Sequence, residues 1–318
     1  MNTKFAVGCV VQWYECDMIE DYVQSLINAI DYTDNKNIVV DFTLITNQDL
    51  EQIDEEKISM SELESKFEKL IDKFDVDINF RKTDNLYTIA DYRRWFNDYY
   101  CEKVDVLVWG ESDSLLPRQM FTILDNLHNT SVSNGSPKYL AFFGTCKMWD
   151  DSWKPVEHTK FTDKEVDNKA WWGTRYVTSI EEMDKINSEV DDLDVRLVSP
   201  HKFNGCGLIM SSEVVKSGVN IPKSVFFTNE DTAFMMMTNK VLGNIPQYII
   251  KNILLVHNRE HHNKRMYIKG EVGETLGERR NSNNWYKVAN EMSKQNCHNI
   301  FNNNYKSFTW EDVWENIK

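Results

Sequence analysis

The feature that most constrains this chain is the alternation, across its first 145 residues, of short apolar runs with stretches of helical periodicity. The runs at 5–12, 38–45 and 104–109 are rich in Val, Ile, Leu and Phe, and their length suits buried strands. Between them, Met18, Tyr22, Leu26 and Ile30 recur at four-residue spacing. Residues 50–74 also read as helix, with Ser61 and Glu64 spaced as a capping box ahead of Phe67, Leu70 and Ile71. Further helices are expected over 90–103 and 115–127, and further strands over 76–80 and 139–143. Strands separated by helices join through right-handed crossovers into a mainly parallel sheet covered on both faces. In such a sheet, ligands bind beyond the carboxyl ends of the strands.

Composition narrows the function. A chain of 318 residues builds a sizeable core without disulfide or metal staples. The net charge of -14, from 36 basic and 50 acidic residues, opposes general attraction to nucleic acid. No run of 18 apolar residues exists, so no membrane span is expected. The apolar N-terminal stretch reads as a first strand rather than a signal peptide. The six cysteines contain no CxxC pair and read as reduced thiols, which points to the cytoplasm, or the host cytoplasm if the chain is viral.

Beyond residue 144 the pattern changes. Trp149, Trp153, Trp171 and Trp172 stand among charges, and a helix is expected over 180–190. Apolar segments return at 205–210 and 245–256, with a helix over 231–242 between them and a helical, peripheral tail after them.

Five constellations can carry chemistry. Glu111 and Asp113, separated by Ser112, follow the 104–109 run at once, which suits Mg²⁺ or Mn²⁺ shared with a phosphate; they can equally cap the next helix. Glu230 and Asp231 follow Asn229, a plausible N-cap, where acidic groups favour the helix dipole or supply a general base. His257 ends an apolar strand ahead of a basic stretch with Arg259, His261, His262, Lys264, Arg265 and Lys269, either a metal ligand with an anion-binding loop or a solvated charge run. Asn204, Gly205, Cys206 and Gly207 open a strand where a backbone admits a ligand closely, or where a bulge forms. Arg93 and Arg94 begin the helix before the Glu111 strand, in place for a diphosphate or for surface ion pairs.

In this order the motifs resemble a GT-A glycosyltransferase of the family 2 type, over roughly residues 4–265. Glu111-Ser112-Asp113 matches the family's D-x-D motif with Glu in first place, Glu230-Asp231 its E-D pair, His257 its late metal-site His, and Arg94 falls within a residue of its donor-site Arg. The second strand departs from the family by ending Thr46-Asn47-Gln48, without the usual acidic residues for the nucleotide.

The resemblance implies a GT-A domain over 1–265, with a nucleotide-sugar half at 1–145, an acceptor half at 146–265, and a helical extension at 266–318. It implies transfer of a sugar from a nucleoside-diphosphate donor, such as a UDP-sugar, to a hydroxyl on a glycan or small molecule. Mn²⁺ or Mg²⁺ would be held by Asp113, His257 and Glu111. Asp231 would be the base of an inverting reaction, with Glu230 beside it orienting the acceptor. Trp13, Tyr14, Asn47, Arg94, Glu111 and Ser112 would meet the donor, and Trp171, Trp172 and Asn204 the acceptor. Two alternatives stand beside this. One is a phage enzyme glycosylating a hydroxymethylated DNA base flipped onto the tryptophans. The other is a non-catalytic sugar- or nucleotide-binding module on the same fold.

Overall fold

The computed structural model describes residues 2–12, 19–46, 60–147, 154–155, 179–198, 205–257 and 284–317. The first half comprises β1 (Phe5–Gln12), α1 (Ile19–Tyr32), β2 (Ile38–Ile45), α2 (Met60–Ile71), β3 (Asp77–Thr83), α3 (Ile89–Tyr100), β4 (Val106–Trp109), α4 (Met120–Ser133) and β5 (Leu140–Lys147). The second half comprises β6 (Lys154–Pro155), α5 (Ile180–Ser188), β7 (Val195–Val198), β8 (Ile209–Ser211), α6 (Ser212–Lys216), α7 (Glu230–Leu242), β9 (Gln247–His257), α8 (Asn284–Phe301) and α9 (Trp310–Asn316).

The strands form one sheet in the order β3-β2-β1-β4-β8-β5-β9-β7, with β6 paired onto β5. β3, β2, β1 and β4 pair in parallel, as do β5 and β9. β8 lies antiparallel to both β4 and β5, so all six of those strands share one direction. Only β8, the edge strand β7 and the short β6 are reversed among the described strands. The expected α/β architecture with a mainly parallel sheet is therefore what forms. The reversal of β8 matters for the site: the strand begins where its neighbours end, so the segment entering it shares an edge with the chain leaving β4 and β9.

Strand alternation distributes the core over both faces. Val106 and Val108 of β4 join one cluster with Tyr22 and Leu26 of α1, Phe67 of α2 and Phe121 of α4. Leu107 and Trp109 join the other, with Tyr92 and Phe96 of α3, Val214 of α6 and Phe234 of α7. Each large apolar side chain removed from water contributes about 1.5–3 kcal/mol.

Element ends follow local chemistry. α3 begins at a reciprocal capping box between Thr88 and Asp91. α2 begins at Met60, which places Ser61 inside the helix instead of at its cap. α4 starts at Met120, later than the periodicity suggests, because Leu115 bridges to Val256 and Pro117 disfavours helix in the residue before it. Residues 110–116 therefore remain a loop. Helices α8 and α9 close an aromatic cluster in which Trp285, Trp310 and Trp314 pack with Phe226 and Phe227. Among the described residues, no helix is long and apolar enough to cross a membrane.

Candidate active site

The chain leaves β4 at Trp109 and turns sharply. The Gly110 amide donates to the Gly8 carbonyl at 2.7 Å, and Ser114 closes the turn with its amide and hydroxyl on the Glu111 carbonyl, at 3.0 and 2.7 Å. Leu115 then exchanges backbone hydrogen bonds of 2.8 and 3.2 Å with Val256. This pairing holds the turn against the end of β9. His257 Nε2 consequently lies 2.7 Å from Glu111 Oε2 and 4.0 Å from Asp113 Oδ1.

The other oxygen of Glu111 belongs to Arg93. Arg93 Nη2 donates to Glu111 Oε1 at 2.6 Å and to the Gly205 carbonyl at 3.2 Å, while Nη1 donates to Glu230 Oε1 at 2.5 Å. The side chain is 2% exposed, and its guanidinium carbon lies 4.7 Å from the centre of the Trp109 ring. Glycine is required opposite it, since a Cβ at Gly205 would collide with Arg93 Nη1. Gly207 adopts φ +69° and donates to the Trp109 carbonyl at 2.9 Å, which carries the chain into β8 and leaves Cys206 beside Glu111 and His257. One ligand atom from each of these three residues lies within 4.8 Å of the other two.

The charges are interdependent. Burial alone would push the Arg93 pKa down, but Glu111 and Glu230 outweigh it and hold the guanidinium firmly charged. Burial acts to raise the Glu111 carboxyl, yet His257 and Arg93 together pull it well below the usual carboxylate range. Burial raises the Glu230 carboxyl too; Arg93 offsets that only in part and Asp231 adds like charge, so the group is pushed up to about 7. The Cys206 thiol is pushed up by burial, then by Glu111 and Asp113.

The residues expected from sequence fall into four groups. Glu111, Asp113, Glu230 and His257 gather in one cluster, and Ser112 is buried in the turn between the first two. Asp231 is half-buried in the first turn of α7, where its Oδ1 accepts from the Thr232 amide at 2.5 Å. Asn229 precedes it in the left-handed region at φ 65°, with no side-chain cap. Arg94 turns away. Its guanidinium donates to the carbonyls of Ile221, Pro222 and Val225 and pairs with Asp91, while its neighbour Arg93 enters the cluster. Trp13, Tyr14, Asn47, Trp171, Trp172, Asn204 and the basic stretch after His257 lie outside the described residues.

Arg93 and Cys206, each within a motif noted in the sequence but neither expected as a partner of Glu111, complete the cluster. Arg93 shares a helical face with Ala90, Phe96, Asn97 and Tyr100, all buried, whereas Arg94 shares one with Asp91 and Asp98; that phase is visible in the sequence. Cys206 carries no such signal, because its approach depends on the reversal of β8.

No family model matches the sequence, and no curated protein matches it. Among solved structures, the chain is similar to a crystal structure of S. aureus TarS 1–349, at 10% identity and a TM-score of 0.48, with 94% of this chain and 72% of that one covered. It is also similar to a crystal structure of a mycobacterial protein, at 10% identity and a TM-score of 0.44, covering 92% and 74% of the two chains.

Proposed function

We propose that the chain is a metal-dependent glycosyltransferase moving a sugar from a nucleotide-sugar donor to an acceptor hydroxyl. One observation carries this reading: Glu111 after β4, Glu230 at the start of α7 and His257 at the end of β9 converge on a cluster bridged by buried Arg93. Three segments far apart in sequence meet at the sheet edge where α/β proteins bind ligands. Their order along the chain is also that of the GT-A motifs they resemble.

Glu111, Asp113 and His257 are the residues that would hold Mn²⁺ or Mg²⁺; the two carboxylates supply the oxygen donors such a cation prefers. When bound, it supplies the positive charge that a departing diphosphate requires. The remaining work belongs to the protein. Arg93 fixes the orientation of Glu111, and Glu230, committed through Oε1 to Arg93, fixes the arginine. Asp231, more exposed than Glu230, takes the proton from the acceptor hydroxyl. Attack from the face opposite the leaving group inverts the anomeric carbon. Ser112, Trp13, Tyr14 and Asn47 complete the proposed donor side, and Trp171, Trp172 and Asn204 the acceptor side.

A non-catalytic binding module is the second reading, favoured by the fact that both oxygens of Glu111 already have partners. A melting-temperature panel of nucleotide sugars with Mn²⁺ tests both. A donor at a hundred times its dissociation constant stabilises by about 2.7 kcal/mol, or about 4 °C for a chain of this length. Asp113→Asn removes the shift while the fold survives. A shift without hydrolysis or transfer selects the binding module, and no shift with any donor sinks both readings.

A further inference from the structure

The cluster contains a donor that a site for Mg²⁺ or Mn²⁺ does not call for. Cys206 is 1% exposed and brings its sulfur to within 4.8 Å of ligand atoms on both Glu111 and His257. Two backbone features hold it there. Gly207, at φ +69°, bonds to the Trp109 carbonyl, and β8 enters the sheet against β4, at the edge where Glu111 and His257 stand. On the imidazole, Nε2 faces Glu111 while Nδ1 is buried without a hydrogen-bond partner among the described residues.

Sulfur, imidazole nitrogen and carboxylate oxygen together form a set suited to a borderline-soft cation. Magnesium and manganese prefer oxygen and gain little from a thiol. Around a tetrahedral zinc, ligand atoms stand about 3.5 Å apart, so the Cys206 sulfur closes in while Glu111 and His257 exchange their 2.7 Å contact for bonds to the cation and move slightly apart. We propose that Cys206 joins Glu111 and His257 in a site selective for a zinc-class divalent cation over Mg²⁺ and Mn²⁺. Binding converts the thiol to a metal thiolate and releases its proton to solvent; no electron changes hands. The inference rests on the reading that Glu111 and His257 bind a cation, and it alters which cation they bind.

The test uses the full chain stripped of metal by a chelator, titrated separately with Zn²⁺, Co²⁺ and Mn²⁺ and read by binding isotherms. For Co²⁺, the near-ultraviolet sulfur-to-cobalt charge-transfer absorption is recorded as well. The parent should show that band and bind Zn²⁺ more than about a hundredfold tighter than Mn²⁺. Cys206→Ser should abolish the band and weaken Zn²⁺ by more than about tenfold, leaving Mn²⁺ within about threefold. His257→Gln should weaken both cations. Cys101→Ser, a buried cysteine outside the site, should keep the band and so separates loss of a ligand from loss of fold. Cys206→Ala provides a second variant with the same expected result. Mn²⁺ binding that depends on His257, with no thiolate band for Co²⁺, overturns the Cys206 inference alone. Failure of the parent to bind any of the three cations overturns it together with the metal-dependent reading above.

Discussion

Replacing Arg93 with leucine removes the cation that holds two carboxylates at the heart of the cluster. Its guanidinium donates to Glu111 at 2.6 Å, to Glu230 at 2.5 Å and to the Gly205 carbonyl at 3.2 Å, all while 2% exposed. Breaking a buried ion pair from one side costs about 3–5 kcal/mol, because the partner charge stays buried and unpaired. A chain of 318 residues has an unfolding entropy of about 0.7 kcal/mol per degree, so a loss of about 4 kcal/mol lowers the melting temperature by about 6 °C. The loss also depends on pH in a definite sense. The folded Glu230 carboxyl titrates at about 7 against an ordinary 4.5, so its contribution is complete below the lower value and is lost as pH rises through the upper one. In the variant, Glu230 escapes its unpaired charge by staying protonated, so the gap from the parent is widest at pH 8 and narrows at pH 5.5. Melting curves of parent, Arg93→Leu and Arg93→Lys at both values measure this, with the lysine variant intermediate because it keeps the charge and loses the fork. A shift below about 2 °C, or a gap equal at the two pH values, refutes the bridging role.

Three further outcomes are expected. Asp231→Asn should leave donor and Mn²⁺ affinity unchanged and lower turnover by about 10²- to 10⁴-fold, with an inverted product by NMR from the parent; a retained product refutes its role as base. Gly205→Ala should cost about 1–3 kcal/mol, since its Cβ would collide with Arg93 Nη1, and an unchanged denaturation midpoint shows that the arginine is seated elsewhere. Ser293→Ala should destabilise by about 1–3 kcal/mol, because its hydroxyl accepts from the Phe227 amide and donates to the Thr228 carbonyl, and an unchanged denaturation midpoint refutes that anchoring of α8.

Much of the fold was legible in the sequence. Short β-branched runs bury on both faces, and amphipathic segments must cover them, so alternation alone determines an α/β sheet. The positions of Glu111, Asp113 and His257 follow from the same rule, because polar residues directly after buried strands have only the sheet edge to occupy. The left-handed Asn229 was not legible, since it follows from contacts of the 226–229 segment with distant chain; the late start of α4 was legible only in Pro117, the rest coming from the pairing of Leu115 with Val256.

The tertiary structure decided what the buried arginine meets and which sulfur approaches the cluster. Arg93 and Arg94 are chemically identical and adjacent; successive helix positions point about 100° apart, so packing sends one inward to Glu111 and Glu230 and the other to the carbonyls of 221–225. Cys206 reaches Glu111 and His257 only because β8 runs against β4 and β5. A strand of three residues, Ile209–Ser211, looks the same in sequence whichever way it runs. Its direction is set by hydrogen bonding to neighbours already in place, and that choice lies in long-range pairing rather than in any local pattern of residues.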